Sequence, residues 1–190
     1  MAHHGLVVRV THWINAIGTL ALIVSGVAIL FAHPRLYWGE TGAVGGPALI
    51  ELPIPFVFGH SGWGRSLHFL AAWICVGAGV LYVTVGAATG HALLQTYAGL
   101  QRVAYMVVVF VLGPIVLLSG LAFSPMLASV APWVVSVFGG QQSARTVHFF
   151  AAAGVVVFLI GHVVMVAVTG FTAHMRSMIV GDQRSPAEDA

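Results

Sequence analysis

An all-α integral membrane protein, a four-helix transmembrane bundle, is predicted for this chain by three observations. Hydrophobic residues make up 59% of its 190 residues and charged residues only 6%, where soluble domains carry about a quarter charged residues. Four apolar runs are each long enough to cross a hydrocarbon core, which takes about 20 helical residues. Most prolines and acidic residues fall between or after those runs, where free backbone groups can reach water. A soluble fold is excluded. The net charge of +2 comes from seven arginines and no lysine, with no basic cluster, so no nucleic-acid partner is expected. Cys75 is the single cysteine and lies inside an apolar run, which excludes a disulfide framework and a cysteine metal site.

The first span is predicted over about residues 10–32. Arg9 precedes it as in a signal peptide, but the run exceeds a typical secretory core, so it reads as an uncleaved span. His3 and His4 stand ahead of it as solvated residues. Residues 33–64 form a long connection with four prolines and the acids Glu40 and Glu51, through which no membrane helix can run. Its Tyr37, Trp38 and Trp63 suit the lipid–water interface. Span two covers about 65–88, a turn follows near 90–99, and span three covers about 100–123 with a kink expected at Pro114. A second substantial loop, 124–144, carries Pro125, Pro132, Trp133 and Gly139–Gly140. Span four runs over about 145–171 and a polar tail follows. The whole is read as one domain, 1–190.

Four spans place both termini on one face and the two longer loops on the other. Arg9, Arg102, Arg176 and Arg184 stand on the terminal side against Arg35, Arg65 and Arg145. With Arg65 and Arg145 set aside as cofactor binders, the positive-inside bias puts both termini in the cytoplasm and the loops 33–64 and 124–144 in the periplasm, across a bacterial inner membrane.

The chemistry is carried by histidines inside the spans, where hydrocarbon makes a polar ring costly. His148 and His162 share span four. Fourteen residues at 100° each make about 1400°, roughly 40° short of four turns, so both rings leave one face, roughly 21 Å apart along the axis. That separation excludes one metal bound by both and suits two cofactors at different depths. Span one enters from the terminal face, so His12 lies at the depth of His162. Spans two and four both start from the loop face, which brings His68 to the depth of His148. Two axial pairs follow, His12 with His162 and His68 with His148.

Three of these histidines end the same local pattern, Arg9-Val-Thr-His12, Arg65-Ser-Leu-His68 and Arg145-Thr-Val-His148. Residues i and i+3 are helix neighbours, so each guanidinium lies one turn nearer the surface than its imidazole. A flat cofactor bearing carboxylates would meet iron-binding imidazole and acid-binding arginine together, and haem b with two propionates fits. Snorkelling of arginine at helix ends is the competing reading. Arg102 or Arg176 is left to serve the His162 haem. Gly26, fourteen residues after His12, leaves room for a porphyrin at the depth of the other pair. Gly120 is read likewise, with ordinary helix packing as the alternative. Bis-imidazole ligation closes the iron to substrate and favours electron transfer. His33, His60 and His91 fall in or beside loops as interface residues. His174 is turned about 120° from the His162 face and is left with lining a quinone pocket or no role.

The segments RVTHWINA with Ser25-Gly26, RSLHF, YAGLQRVAY with GPIVLLSG, and RTVHF with His162 together resemble the bacterial di-haem cytochrome b family. That family supplies membrane subunits of formate dehydrogenases, nickel-iron hydrogenases and thiosulfate reductases; YAGLQRVAY and LYWGETG resemble most the thiosulfate-reductase-like members. The resemblance implies two b haems ligated by His12, His162, His68 and His148, a membrane quinone near the cytoplasmic-side haem, and a periplasmic redox partner, molybdopterin enzyme or cytochrome c-like protein. Tyr97, Gln101, Arg102 and Tyr105 are positional candidates for the quinone. The expected role is electron transfer between the quinone pool and that partner, with quinol oxidation or quinone reduction the only chemistry on this chain. The alternatives are a self-contained superoxide:quinone oxidoreductase, a hydrogenase or formate dehydrogenase subunit, and a haem-free proton or metal transporter.

Overall fold

The computed structural model describes residues 5–40, 47–54, 62–88 and 99–181. Among them four helices are long and apolar enough to cross a membrane. Helix α1 is Leu6–Ala32, followed by a two-residue strand pair, β1 (Arg35–Leu36) and β2 (Ile50–Glu51). Helix α2 is Gly62–Ala88. The third span is built from α3 (Gly99–Val107), a π-helical turn (Val108–Leu112) and α4 (Gly113–Leu121). Two short helices, α5 (Pro125–Val130) and α6 (Trp133–Val137), lead to α7 (Gln141–Ile179).

The chain divides into two compact units. The first comprises Met1–Ile29, His60–Thr96 and His162–Ala190, the second Leu30–Gly59 and Tyr97–Gly161. In the first, α1 buries Thr11, Gly18 and Ser25, and α2 buries Gly64, Ala71 and Ala78. Each set is small and repeats every seven residues, the period that keeps one seam facing a partner. Lipid tails are as apolar as leucine, so close backbone approach and dispersion must hold such helices together. Gly18 shows how close the approach is: an added Cβ would collide with Cys75 Sγ. The start of α1 is also tied to the end of α7, where Arg9 Nη1 donates to the Ile179 carbonyl and Trp13 Nε1 to that of Met178, both at 3.1 Å. These carbonyls are among the four that a helix end leaves unpaired, and a cation there also complements the helix dipole. Within α7, Gly170 departs from helical geometry (φ 124°, ψ 75°), a conformation open to glycine.

In the second unit, Pro114 shapes the third span. Proline has no N–H to donate and its ring crowds the carbonyl four residues back, and the backbone ahead of it widens into the π turn, with Gly113 N–H bonded to Val108 O. The kink expected at this proline thus takes the form of a π turn immediately before it. After α4, Ser124 caps α5 by accepting from Leu127 N at 3.4 Å, and Ala122, Val134, Val135 and Ala144 form a small buried core. Part of the 33–64 connection is ordered as an antiparallel ribbon pairing Arg35 with Glu51 and Leu36 with Ile50. It is pinned to the start of α7: Thr146 Oγ1 donates to Tyr37 O and Gly39 N to Ser143 Oγ, both at 2.7 Å.

Candidate functional site

In the first unit, His12 on α1 faces His162 on α7 with ring centroids 6.4 Å apart and planes at 61°. Two metal–imidazole bonds of about 2.0 Å, plus the rings' own half-widths, make an iron-bridged pair roughly 6 Å apart, so the spacing suits one iron between them. Arg9, one turn from His12, gives Nη1 to the α7 terminus, while its buried Nε has no hydrogen-bond partner among the described residues. A buried donor left unpaired is costly, and an incoming carboxylate would satisfy it.

His68, in the same unit, is held by α1. Its Nδ1 lies 3.0 Å from Ser25 Oγ, and the ring also hydrogen-bonds the Leu22 carbonyl. The neighbouring Gly26 faces this ring, so that an added Cβ would sit 3.6 Å from His68 Cε1. In the second unit, α4 holds His148 in the same way. Its Nδ1 lies 3.1 Å from Ser119 Oγ and 3.0 Å from Val116 O. A Cβ on Gly120 would sit 3.2 Å from His148 Cε1. The two glycines expected to clear a porphyrin therefore lie against the two candidate ligand rings themselves.

The arginines divide. Arg145 Nη2 donates to the His33 carbonyl just beyond α1, a backbone contact like that of Arg9. Arg65 is exposed. Beside Arg145, a cavity of about 380 Å³ is lined by His33, Arg35, Tyr37 and Glu51 among others. Arg35 and Glu51 form an exposed ion pair at 2.9 Å, which holds the Arg35 guanidinium above its usual range. Of the quinone candidates, Gln101 is exposed and the Tyr105 ring packs edge-on against Phe158 at 5.3 Å. Tyr97 and the Arg102 side chain lie outside the described residues, as do His3, His4, His60 and His91. His174 is exposed, with Nε2 3.1 Å from Thr169 Oγ1. The serines of both Ser-Gly pairs were not singled out by sequence reasoning. Their shared signal was the repeated Ser-Gly itself, of which only the glycines were given a role, as room for a porphyrin.

The residues present thus suit a bis-imidazole haem site: a histidine pair at ligation spacing, an unsatisfied buried guanidinium nitrogen, and rings whose Nδ1 is engaged. No solved structure matches the chain. It is 28% identical over 191 residues to a putative protein-methionine-sulfoxide reductase subunit, YedZ1, of Azospira oryzae, covering 84% of this chain and 87% of that one. The family model for prokaryotic cytochrome b561 matches residues 3–181. The chain accordingly belongs to the prokaryotic cytochrome b561 family, as a multi-pass membrane protein that binds haem b and transfers electrons.

Proposed function

We propose that this chain holds two b haems, one between His12 and His162 and one between His68 and His148, and passes electrons between membrane quinone and a periplasmic redox subunit. The facing of His12 and His162 at 6.4 Å carries the reading. The second pair rests on the direction of the spans and on the matched supports of its two rings. Bound haem supplies a one-electron couple at each depth. The chain's own groups do the rest. With Nδ1 engaged at His68 and His148, the Nε2 of each would be the atom left to hold iron. Arg9 and Arg145 stand one turn outside their histidines, where they can bind acid groups while capping neighbouring backbone. The apolar spans exclude water from between the two depths.

The Azospira relative's name, a putative subunit of a protein-methionine-sulfoxide reductase, supports a reductase subunit as the partner, with electrons passing from this chain to it. The ribbon of β1 and β2 and the helices α5 and α6 would form the docking side, with both termini in the cytoplasm. The test is isolation of the full chain from haem-replete cells. Two haems per chain are expected by pyridine haemochrome assay, falling to one in His148→Ala and in His12→Ala. Retention of both haems in either variant would remove that residue from the ligand set. A C-terminal fluorescent fusion should glow and a phosphatase fusion stay inactive; the reverse pattern would invert the topology.

A further inference from the structure

The supports of His68 and His148 repeat one another residue for residue. In each case a fully buried serine, Ser25 or Ser119, donates its own proton back to the carbonyl four residues earlier. Ser25 bonds Ala21 O at 2.6 Å and Ser119 bonds Ile115 O at 2.5 Å. A hydroxyl has one proton. With that proton held by the helix, the oxygen facing the ring has only lone pairs to offer. The carbonyl three residues earlier, Leu22 or Val116, faces the same ring, and a carbonyl can only accept. At His148 both acceptors converge on Nδ1, at 3.0 and 3.1 Å, so Nδ1 carries the proton and Nε2 the lone pair that can bind a metal. At His68 the serine oxygen stands at Nδ1 and the carbonyl is supplied from the equivalent position. The following residue is glycine in both, and it lets the ring approach the helix.

We propose that Ser25 and Ser119 are matched positioning residues, which fix the tautomer of His68 and His148 and strengthen each as an iron ligand. The proposal rests on the ligation of a haem by these two histidines. An acceptor on Nδ1–H raises imidazole basicity and so favours ferric over ferrous iron. The pair would hold the haem it serves at a lower potential than either ring alone could. On the proposed ligation, the two serines, 94 positions apart in the chain, act on the same haem.

The experiment is a spectroscopic redox titration of the purified full-length protein carrying Ser25→Ala or Ser119→Ala, with low-temperature electron paramagnetic resonance of the ferric state. Each variant should shift one haem's ferric-to-ferrous ratio at fixed potential by about tenfold toward ferrous, which for a one-electron couple is about 59 mV upward. Both should shift the same haem and leave the other in place. Ser25→Thr and Ser119→Thr, which keep the hydroxyl, should restore the original value. Should alanine cost the haem altogether, Ser119→Cys and Ser25→Cys, close in shape with a weak acceptor, give the reading: bound haem with a raised potential supports the proposal, and an unshifted potential overturns it. Silent serine variants in a protein whose haem is lost on His148→Ala would defeat this inference alone. If His148→Ala keeps both haems, the ligand assignment beneath it has failed instead.

Discussion

Gly120→Ala tests the geometry around His148 with the smallest available change. The added Cβ would lie 3.2 Å from His148 Cε1 and 3.5 Å from Nδ1, while carbon atoms settle at about 3.5–4.0 Å. The ring must therefore retreat from α4 by about 0.3 Å or more. Both groups that hold it, Ser119 Oγ at 3.1 Å and Val116 O at 3.0 Å, are on α4, so the retreat stretches both bonds together. N–H···O bonds weaken past about 3.2 Å, and an underused buried donor costs about 1–3 kcal/mol. At about 1.4 kcal/mol per factor of ten, the cost translates to roughly 5- to 150-fold weaker holding of the ligand geometry. The assay is haem per chain together with the ferric resonance line positions. The expected outcome is partial loss or altered lines for one haem only. Gly26→Ala gives the contrast, since its Cβ would sit 3.6 Å from His68 Cε1, an ordinary contact, and its effect on the ring should be small. Full occupancy with unchanged lines in Gly120→Ala would refute the reasoning, because the ring could then move without consequence.

Other consequences follow from the packing and the charges. Gly18→Leu should destabilise the first unit by about 1–3 kcal/mol, because the site is filled by Cys75 Sγ, whereas Gly77→Ala, where an added Cβ meets nothing within 4 Å, should be near neutral; thermal retention of the Soret band in detergent compares them. Arg9→Met removes a bond to Ile179 O and a charge at the end of α7, and should lower thermal stability by about 1 kcal/mol as well as weakening the His12–His162 haem. A purely capping role for Arg9 would show as lost stability with that haem's spectrum unmoved. Glu51→Gln removes the partner of Arg35 at an exposed pair. Because Arg35 is held above its usual range, it keeps its charge until strong alkali, so stability from the pair should be flat between about pH 6 and 9.

Much of this architecture was legible because a membrane restricts the choices. Four apolar runs with polar connections leave helices as the only spanning structure, and histidine in such a run demands an explanation. The Arg-x-x-His pattern was visible, but the carbonyls of His33 and Ile179 that Arg145 and Arg9 also bind were not, because those partners are 112 and 170 positions away. The same holds for Ser25 and Ser119. Serine within a membrane helix ordinarily bonds back to the carbonyl four residues earlier, and nothing local reveals that the spare lone pairs face an imidazole 43 or 29 residues on. Pro114 signalled a break without specifying its form. The short ribbon around Arg35 and Glu51 was hidden because the prolines and glycines of that stretch outweigh two residues of strand on each side.

Haem stoichiometry resolved by ligand is the most direct measurement of the central claim. Protein purified from haem-replete cells and reduced with dithionite should show sharp b-type bands equivalent to two haems per chain. His68→Ala and His148→Ala should each abolish the same one, and His12→Ala and His162→Ala the other. A colourless protein, a single haem in the unaltered chain, or His68→Ala and His148→Ala removing different haems would contradict it.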